Sequence, residues 1–86
     1  MKLLFCPQCQ DVVKLFRDQR FCRCRQSWGR YRTAVQAEIG GRAIPLGIAD
    51  EGFRGALQQR PRDGLGARFE AFVIAHQCTT VKVVKP

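Results

Sequence analysis

Four cysteines near the start of the chain constrain its fold more than any other feature. They fall as Cys6-Pro7-Gln8-Cys9, then, after twelve residues, as Cys22-Arg23-Cys24. Two close pairs on a short connector suit a tetrahedral metal ion, because each pair can curl around one side of the ion while the connector brings the pairs together. Zinc, borderline-soft and without a d-electron preference for geometry, accepts four thiolates at about 2.3 Å. The spacing therefore predicts Zn²⁺ held by Cys6, Cys9, Cys22 and Cys24. Two residues between Cys6 and Cys9 let both sulfurs point inward from one turn, with backbone N–H groups free to spread the surplus negative charge. The second pair has a single intervening residue and no glycine after Cys24, so Arg25 must take the positive-φ position of that turn or the turn must differ.

A metal also answers a problem of size. At 86 residues the chain reads as one domain, and so small a domain buries a modest core. A structural zinc ion contributes on the order of 10–16 kcal/mol of apparent binding energy that counts toward folding. The composition, 45% hydrophobic and 26% charged, is that of a globular chain. No apolar run approaches the ~18 residues of a membrane span, and Cys6-Pro7 interrupts the short apolar start, so no secretory signal is expected. A cytoplasmic location follows as an expectation. There, thiols stay reduced, and clustered cysteines hold metal more often than disulfides.

Along the chain, residues 2–5 read as a strand entering the first pair and residues 12–16 as a strand leaving it. Arg17-Asp18-Gln19-Arg20 reads as a polar turn, and residues 28–33 carry the chain away from the second pair. Residues 34–39 and 42–48 flank Gly40-Gly41, the signature of a β-hairpin. Pro45 cannot donate to a ladder and so places the second of these strands at an edge or a bulge. Asp50 is suited to cap a short helix over residues 51–59, with Phe53, Ala56 and Leu57 on one face and Pro61 ending it. Residues 69–75 read as a buried strand and Val81–Val84 as a last short one. The expected fold is small α+β: a ribbon over 1–33 packed with a body over 34–86, together one domain.

Other chemistries compete for the same residues. Iron in an all-cysteine site is one. A ligand swap is another, since His76 and Cys78 would face the same way in a strand and either could replace Cys22 or Cys24. Against the swap, an unpaired cysteine behaves as a small buried hydrophobe. Cys6-Pro7-Gln8-Cys9 would suit dithiol redox work if it opened a helix, but Val12-Val13 favours a strand. A catalytic zinc keeps one position open, whereas four cysteines close the shell, and the chain carries no paired carboxylates, phosphate loop or Ser/His/Asp set. The expectation is a protein that is not an enzyme and has no small-molecule substrate.

The balance of charge points to a polyanionic partner. Fifteen basic residues against seven acidic ones give +8, from which four thiolates and one Zn²⁺ would together remove two charges. Between Lys14 and Arg32 seven basic residues face Asp18 alone. Arginine forks suit phosphates, and Trp28 and Tyr31, interleaved with them, offer faces for stacking on bases or bulk for packing. The candidate contact residues are Arg17, Arg20, Arg23, Arg25, Arg30, Tyr31 and Arg32. The partner is either nucleic acid, DNA or RNA, or an acidic protein.

Cys6-Pro7-Gln8-Cys9 and Cys22-Arg23-Cys24 resemble the paired knuckles of zinc-ribbon proteins, over about the first third of the chain. Ser27-Trp28-Gly29-Arg30-Tyr31, residues 43–48 and residues 69–74 look like stretches of short bacterial or phage-encoded proteins of that kind. The resemblance implies a ribbon fold and a bound zinc ion but no established activity. Ribbons as a class serve nucleic-acid handling and protein docking alike, so fold alone does not choose. Two functions are carried forward: a zinc module that binds nucleic acid, and an adaptor or inhibitor, encoded by a phage or mobile element, that docks on an acidic protein.

Overall fold

Eight strands form two four-stranded sheets, and the chain crosses between them three times. The computed structural model describes residues 1–84; Lys85 and Pro86, the end of the expected body, lie outside the described residues. The strands are β1 (Lys2–Phe5), β2 (Val12–Lys14), β3 (Arg20–Phe21), β4 (Ser27–Tyr31), β5 (Ala37–Gly41), β6 (Ile44–Ile48), β7 (Ala71–Val73) and β8 (Val81–Val84), with one helix, α1 (Asp50–Gln58), between β6 and β7. One sheet runs β2-β1-β6-β7 and the other β3-β4-β5-β8. All pairings are antiparallel except the parallel pairing of β5 with β8. Among the described residues no helix is long and apolar enough to cross a membrane.

The core lies between the sheets. Leu4 and Val13 from one sheet meet Ala37, Ile39 and Val81 from the other, joined by Leu15, Cys6 and Cys22. Alternation along each strand explains the selection, since every second residue of a strand faces the same side. Gly29 marks how closely the layers approach: a Cβ there would press on the side chains of Leu15, Leu4 and Ile39. The helix contributes no buried residue. It is held at the periphery, where Phe53 meets Phe69 edge-on at 4.8 Å between ring centroids.

Four expectations are corrected. The Gly40-Gly41 hairpin does not form: β5 pairs with β4 and β8, while β6 pairs with β1 and β7. The two glycines instead carry the chain from one sheet to the other. The Gly41 φ of +67° and its approach to the Gln26 carbonyl leave no room for a Cβ, and Arg42 N–H donates to that same carbonyl at 2.9 Å. Nor is β6 an edge strand. The Pro45 carbonyl accepts Ile74 N–H at 2.9 Å, so in an antiparallel pair its nitrogen faces the same side, one residue past the end of β7. The missing donor costs the β1–β6 ladder nothing.

The third correction concerns the segment around residues 69–75. Its strand is short and stands at the edge of its sheet, where Ala71, Phe72 and Val73 are all exposed. At the helix, Ala49 occupies the cap position with no side-chain bond. Asp50 turns instead to the Met1 amino group, whose nitrogen donates to its carboxylate at 2.7 Å. That hydrogen bond and charge hold the Asp50 carboxyl below its usual range.

Two glycine substitutions test this architecture with opposite signs. Gly41→Ala adds a Cβ at a positive φ against backbone and should lower stability by more than about 1 kcal/mol. Gly55→Ala, in α1 with nothing near its new methyl group, should raise it by roughly 0.5–1 kcal/mol through helix propensity. Denaturant unfolding of the two variants beside the parent chain reads both.

Candidate metal centre

Each cysteine pair sits on the turn of a hairpin, and the two hairpins belong to different sheets. The first turn links β1 to β2. There Cys6 N–H donates to the Asp11 carbonyl at 3.0 Å and Gln10 N–H to the Cys6 carbonyl at 2.7 Å, closing a loop in which Gln10 takes a φ of +62°. The second turn links β3 to β4 in the same way. Cys22 N–H donates to the Ser27 carbonyl and Arg25 N–H to the Cys22 carbonyl, each at 3.0 Å. Arg25 takes a φ of +64°, the left-handed conformation expected of it in the absence of a glycine. Asp11 ties the turns together, its carboxylate accepting Arg23 N–H at 2.9 Å.

The result is one cluster of four sulfurs. The Sγ atoms of Cys6, Cys9, Cys22 and Cys24 all lie within 4.8 Å of one another. Cys6 Sγ stands 3.7 Å from Cys24 Sγ, and Cys22 Sγ 3.6 Å from Cys24 Sγ. A tetrahedron with metal–sulfur bonds of about 2.3 Å has edges of about 3.8 Å, so these separations match a metal cage and are far too long for S–S bonds. All five cysteines are free thiols. The four residues could therefore hold a metal ion, as the spacing of the pairs predicts.

The surroundings of the cage fit that use. Ser27 N–H donates to Cys22 Sγ at 3.3 Å. Burial raises the Cys6 thiol, but the Ser27 hydroxyl and the N–H groups of Cys9 and Gln8 outweigh it and bring the thiol down to about 6. Burial likewise raises Cys22, and the Ser27 N–H reverses the sign, leaving it lowered. At Cys24 the Gln26 N–H pulls downward, yet burial and the three neighbouring sulfurs prevail and push the thiol up to about 12. Negative charge is thus welcomed at Cys6 and Cys22, while without an ion a further thiolate at Cys24 is repelled. A divalent cation removes that repulsion. Ser27 is fully buried, and its hydroxyl lies close enough to Cys6 to favour the thiolate while falling short of a full hydrogen bond; its natural acceptor is a metal-bound thiolate. Sequence reasoning missed Ser27, Asp11 and Gln10, whose roles depend on turn geometry rather than residue type.

Cys78 and His76 lie elsewhere. Cys78 packs against the core, with its sulfur 3.3 Å from Thr80 Oγ1. His76 lines an apolar cavity of about 400 Å³ with Ile39, Ile74 and Val81.

The other candidate residues divide into two sets. Arg17, Arg20, Arg23 and Arg25 are exposed on the loop before β3, at the start of β3 and on the second cysteine turn. Arg20 lies over the Phe16 ring at 4.7 Å and Arg25 over the Phe21 ring at 4.3 Å, with Lys14 also over Phe16 at 5.1 Å. Arg30 and Arg32 instead reach Glu38, at 2.8 and 3.7 Å. Tyr31 packs against the core, and its hydroxyl accepts Lys2 N–H at 2.8 Å.

Metal loading should displace protons, because Cys24 keeps its own through the neutral range in the free chain. Affinity should therefore fall as pH falls, and titration with Zn²⁺ in weak buffer should acidify the solution. Cys24→Ser is expected to lose stoichiometric metal by elemental analysis, whereas Cys78→Ser keeps one ion per chain. The reverse pattern would move the site. No protein-family model, curated protein or solved structure matches the chain, and the case for a metal centre is the geometry of its four sulfurs.

Proposed function

We propose that the chain is a non-enzymatic zinc-binding module of the zinc-ribbon kind whose basic ribbon half binds nucleic acid through phosphate contacts. The observation that supports the zinc ion is the all-sulfur cage, whose four Sγ atoms lie within 4.8 Å of one another with two of the edges at 3.6 and 3.7 Å. Thiolate donors select soft or borderline ions, and zinc accepts four of them in a closed tetrahedral shell. Once bound, the ion supplies structural cross-linking. Cys6, Cys9, Cys22 and Cys24 would all be spent on it, with no position left for water or substrate, which is the pattern of a structural site.

Support for nucleic acid comes from the arginines around that cage. Arg17, Arg20, Arg23 and Arg25 stand exposed within nine positions of one another, against the two carboxylates of Asp11 and Asp18. Guanidinium groups held over Phe16 and Phe21 are oriented without being neutralised, leaving their N–H forks free for phosphate oxygens.

Binding of this kind releases counterions and is steeply salt-dependent. With four phosphate contacts, affinity should fall roughly 50- to 150-fold between about 50 and 200 mM salt. The double variant Arg20→Glu/Arg23→Glu should weaken binding and flatten that dependence, as read by fluorescence anisotropy on a labelled oligonucleotide. A chain that binds neither DNA nor RNA at low salt, yet holds one stoichiometric acidic protein after nuclease treatment, is the adaptor of the alternative reading.

A further inference from the structure

Two aromatic side chains share a surface that the arginine cluster does not account for. Phe21, Trp28, Gly40 and Val84 stand opposite one another across β3, β4, β5 and β8 as one transverse row. Directly opposed residues project from the same side of a sheet. The next row on that side is Arg30, Glu38 and Lys82. The other side faces the core, for Gly29 and Ile39, one position along, are buried there against Leu4 and Leu15. Phe21 and Trp28 therefore stand on the outer face.

Trp28 does not belong to the core cluster. Its indole lies over Gly40, and a Cβ at that position would run into Cε2, Cζ2 and Nε1 of the ring. One face of the indole is thus seated on bare backbone, and the opposite face is directed away from the sheet. Beside it Phe21, 37% exposed, carries the Arg25 guanidinium over its ring at 4.3 Å. Arg30 bonds to Glu38 at 2.8 Å and Arg32 reaches it at 3.7 Å, so the one carboxylate of this face is covered by two arginines, and Lys82 is exposed next to it.

We infer that this face binds unpaired nucleotides, with one base stacked on Trp28, a neighbouring base on the Phe21–Arg25 pair, and Arg30, Arg32 and Lys82 beside the backbone phosphates. The inference rests on the nucleic-acid reading and narrows it to single strands. Opposed residues of adjacent strands stand about 4.5–5.5 Å apart at Cα, close enough for two consecutive bases of a flexible strand to use both rings. A duplex keeps its base faces inside its own stack and has nothing to offer an indole. The occupant is a polyanion because the platform is framed by cations on a chain of net charge +8. Aromatic faces accept any base, so recognition is tolerant of sequence.

Trp28 is the only tryptophan in the chain, so its emission reports on the platform directly. The zinc-loaded chain is titrated with oligodeoxyuridylate, with oligouridylate, with a DNA duplex of equal length and with inorganic polyphosphate. Either single strand should quench the emission, and which one does so more strongly names the preferred sugar. Duplex and polyphosphate should bind more weakly and leave the emission unchanged. Trp28→Ala should lose roughly five- to 150-fold in affinity for single strands, while Trp28→Phe loses at most a few-fold. Phe21→Ala should weaken binding yet keep the quench at saturation, so a poorly folded Trp28→Ala would still leave a readout. Single strands that bind without quenching, or that bind Trp28→Ala as tightly as the parent, overturn the platform and leave phosphate binding by the arginines standing. No binding of any of the four polyanions overturns both.

Discussion

The four-sulfur cluster joins the two sheets at one end, and the rest of the structure depends on that junction. Cys6 closes β1 of the first sheet, while Cys22 follows β3 of the second. Among the described residues the apolar core between the layers has eight buried side chains, and two of them are these cysteines. Hydrophobic burial of about 25 cal/mol per Å² over so few side chains offsets little of the conformational entropy of ordering the chain. A bound ion would change that balance, because its binding energy would be gained only when the two hairpins are brought together. Without one, buried or half-buried thiols stand in mutual contact, and the neighbouring sulfurs with burial favour the protonated form of Cys24.

Legibility from sequence followed the range of the interactions involved. The cysteine spacing, the strands flanking the first pair and the choice between a left-handed Arg25 and a different turn are properties of short segments and were readable, whereas Arg20, read as part of a polar turn, opens β3 instead. Gly40-Gly41 was misleading because both glycines answer to partners remote in sequence: one makes room for the indole of Trp28, the other for the carbonyl of Gln26. No local rule separates that use from a hairpin turn. Pro45 misled for a related reason, since a missing donor matters only if a ladder partner faces it, and β7 ends just short of it. Asp50, a sound cap by type, was drawn away by the Met1 amino group forty-nine positions earlier. In each case a tertiary partner overrode a local preference.

The candidate binding residues show the same division. Counting charge between Lys14 and Arg32 identified a basic segment but could not say which side chains were already engaged. Glu38, outside that segment, takes up Arg30 and Arg32. Among the aromatics, sequence reasoning placed Tyr31 with the contact residues and left Trp28 out, yet the two differ by an odd number of positions along β4. Alternation sends one outward over Gly40 and the other inward, where its hydroxyl is bonded to Lys2 N–H. Phe16, which sequence reasoning treated as a strand residue, and Phe21, which it gave no role beyond leading into the second pair, carry the guanidinium groups.

The same alternation links the cage to the outer face. Cys22 and Ser27, at the two ends of the second turn, point inward to the sulfurs, and they bond to each other through backbone groups at 3.0 Å and through Ser27 N–H to Cys22 Sγ at 3.3 Å. Their immediate neighbours, Phe21 and Trp28, must then point outward, because successive residues of a strand face opposite sides. Arg25, between them, is fixed by its own left-handed turn over Phe21. An ion that sets the pitch of this turn therefore also sets the register of the aromatic row, without touching either ring. The one-residue spacing of Cys22 and Cys24 has a consequence in this light: a longer knuckle would shift β4 against β3, and a slip of one residue would turn Trp28 toward the core and Gly29 toward solvent.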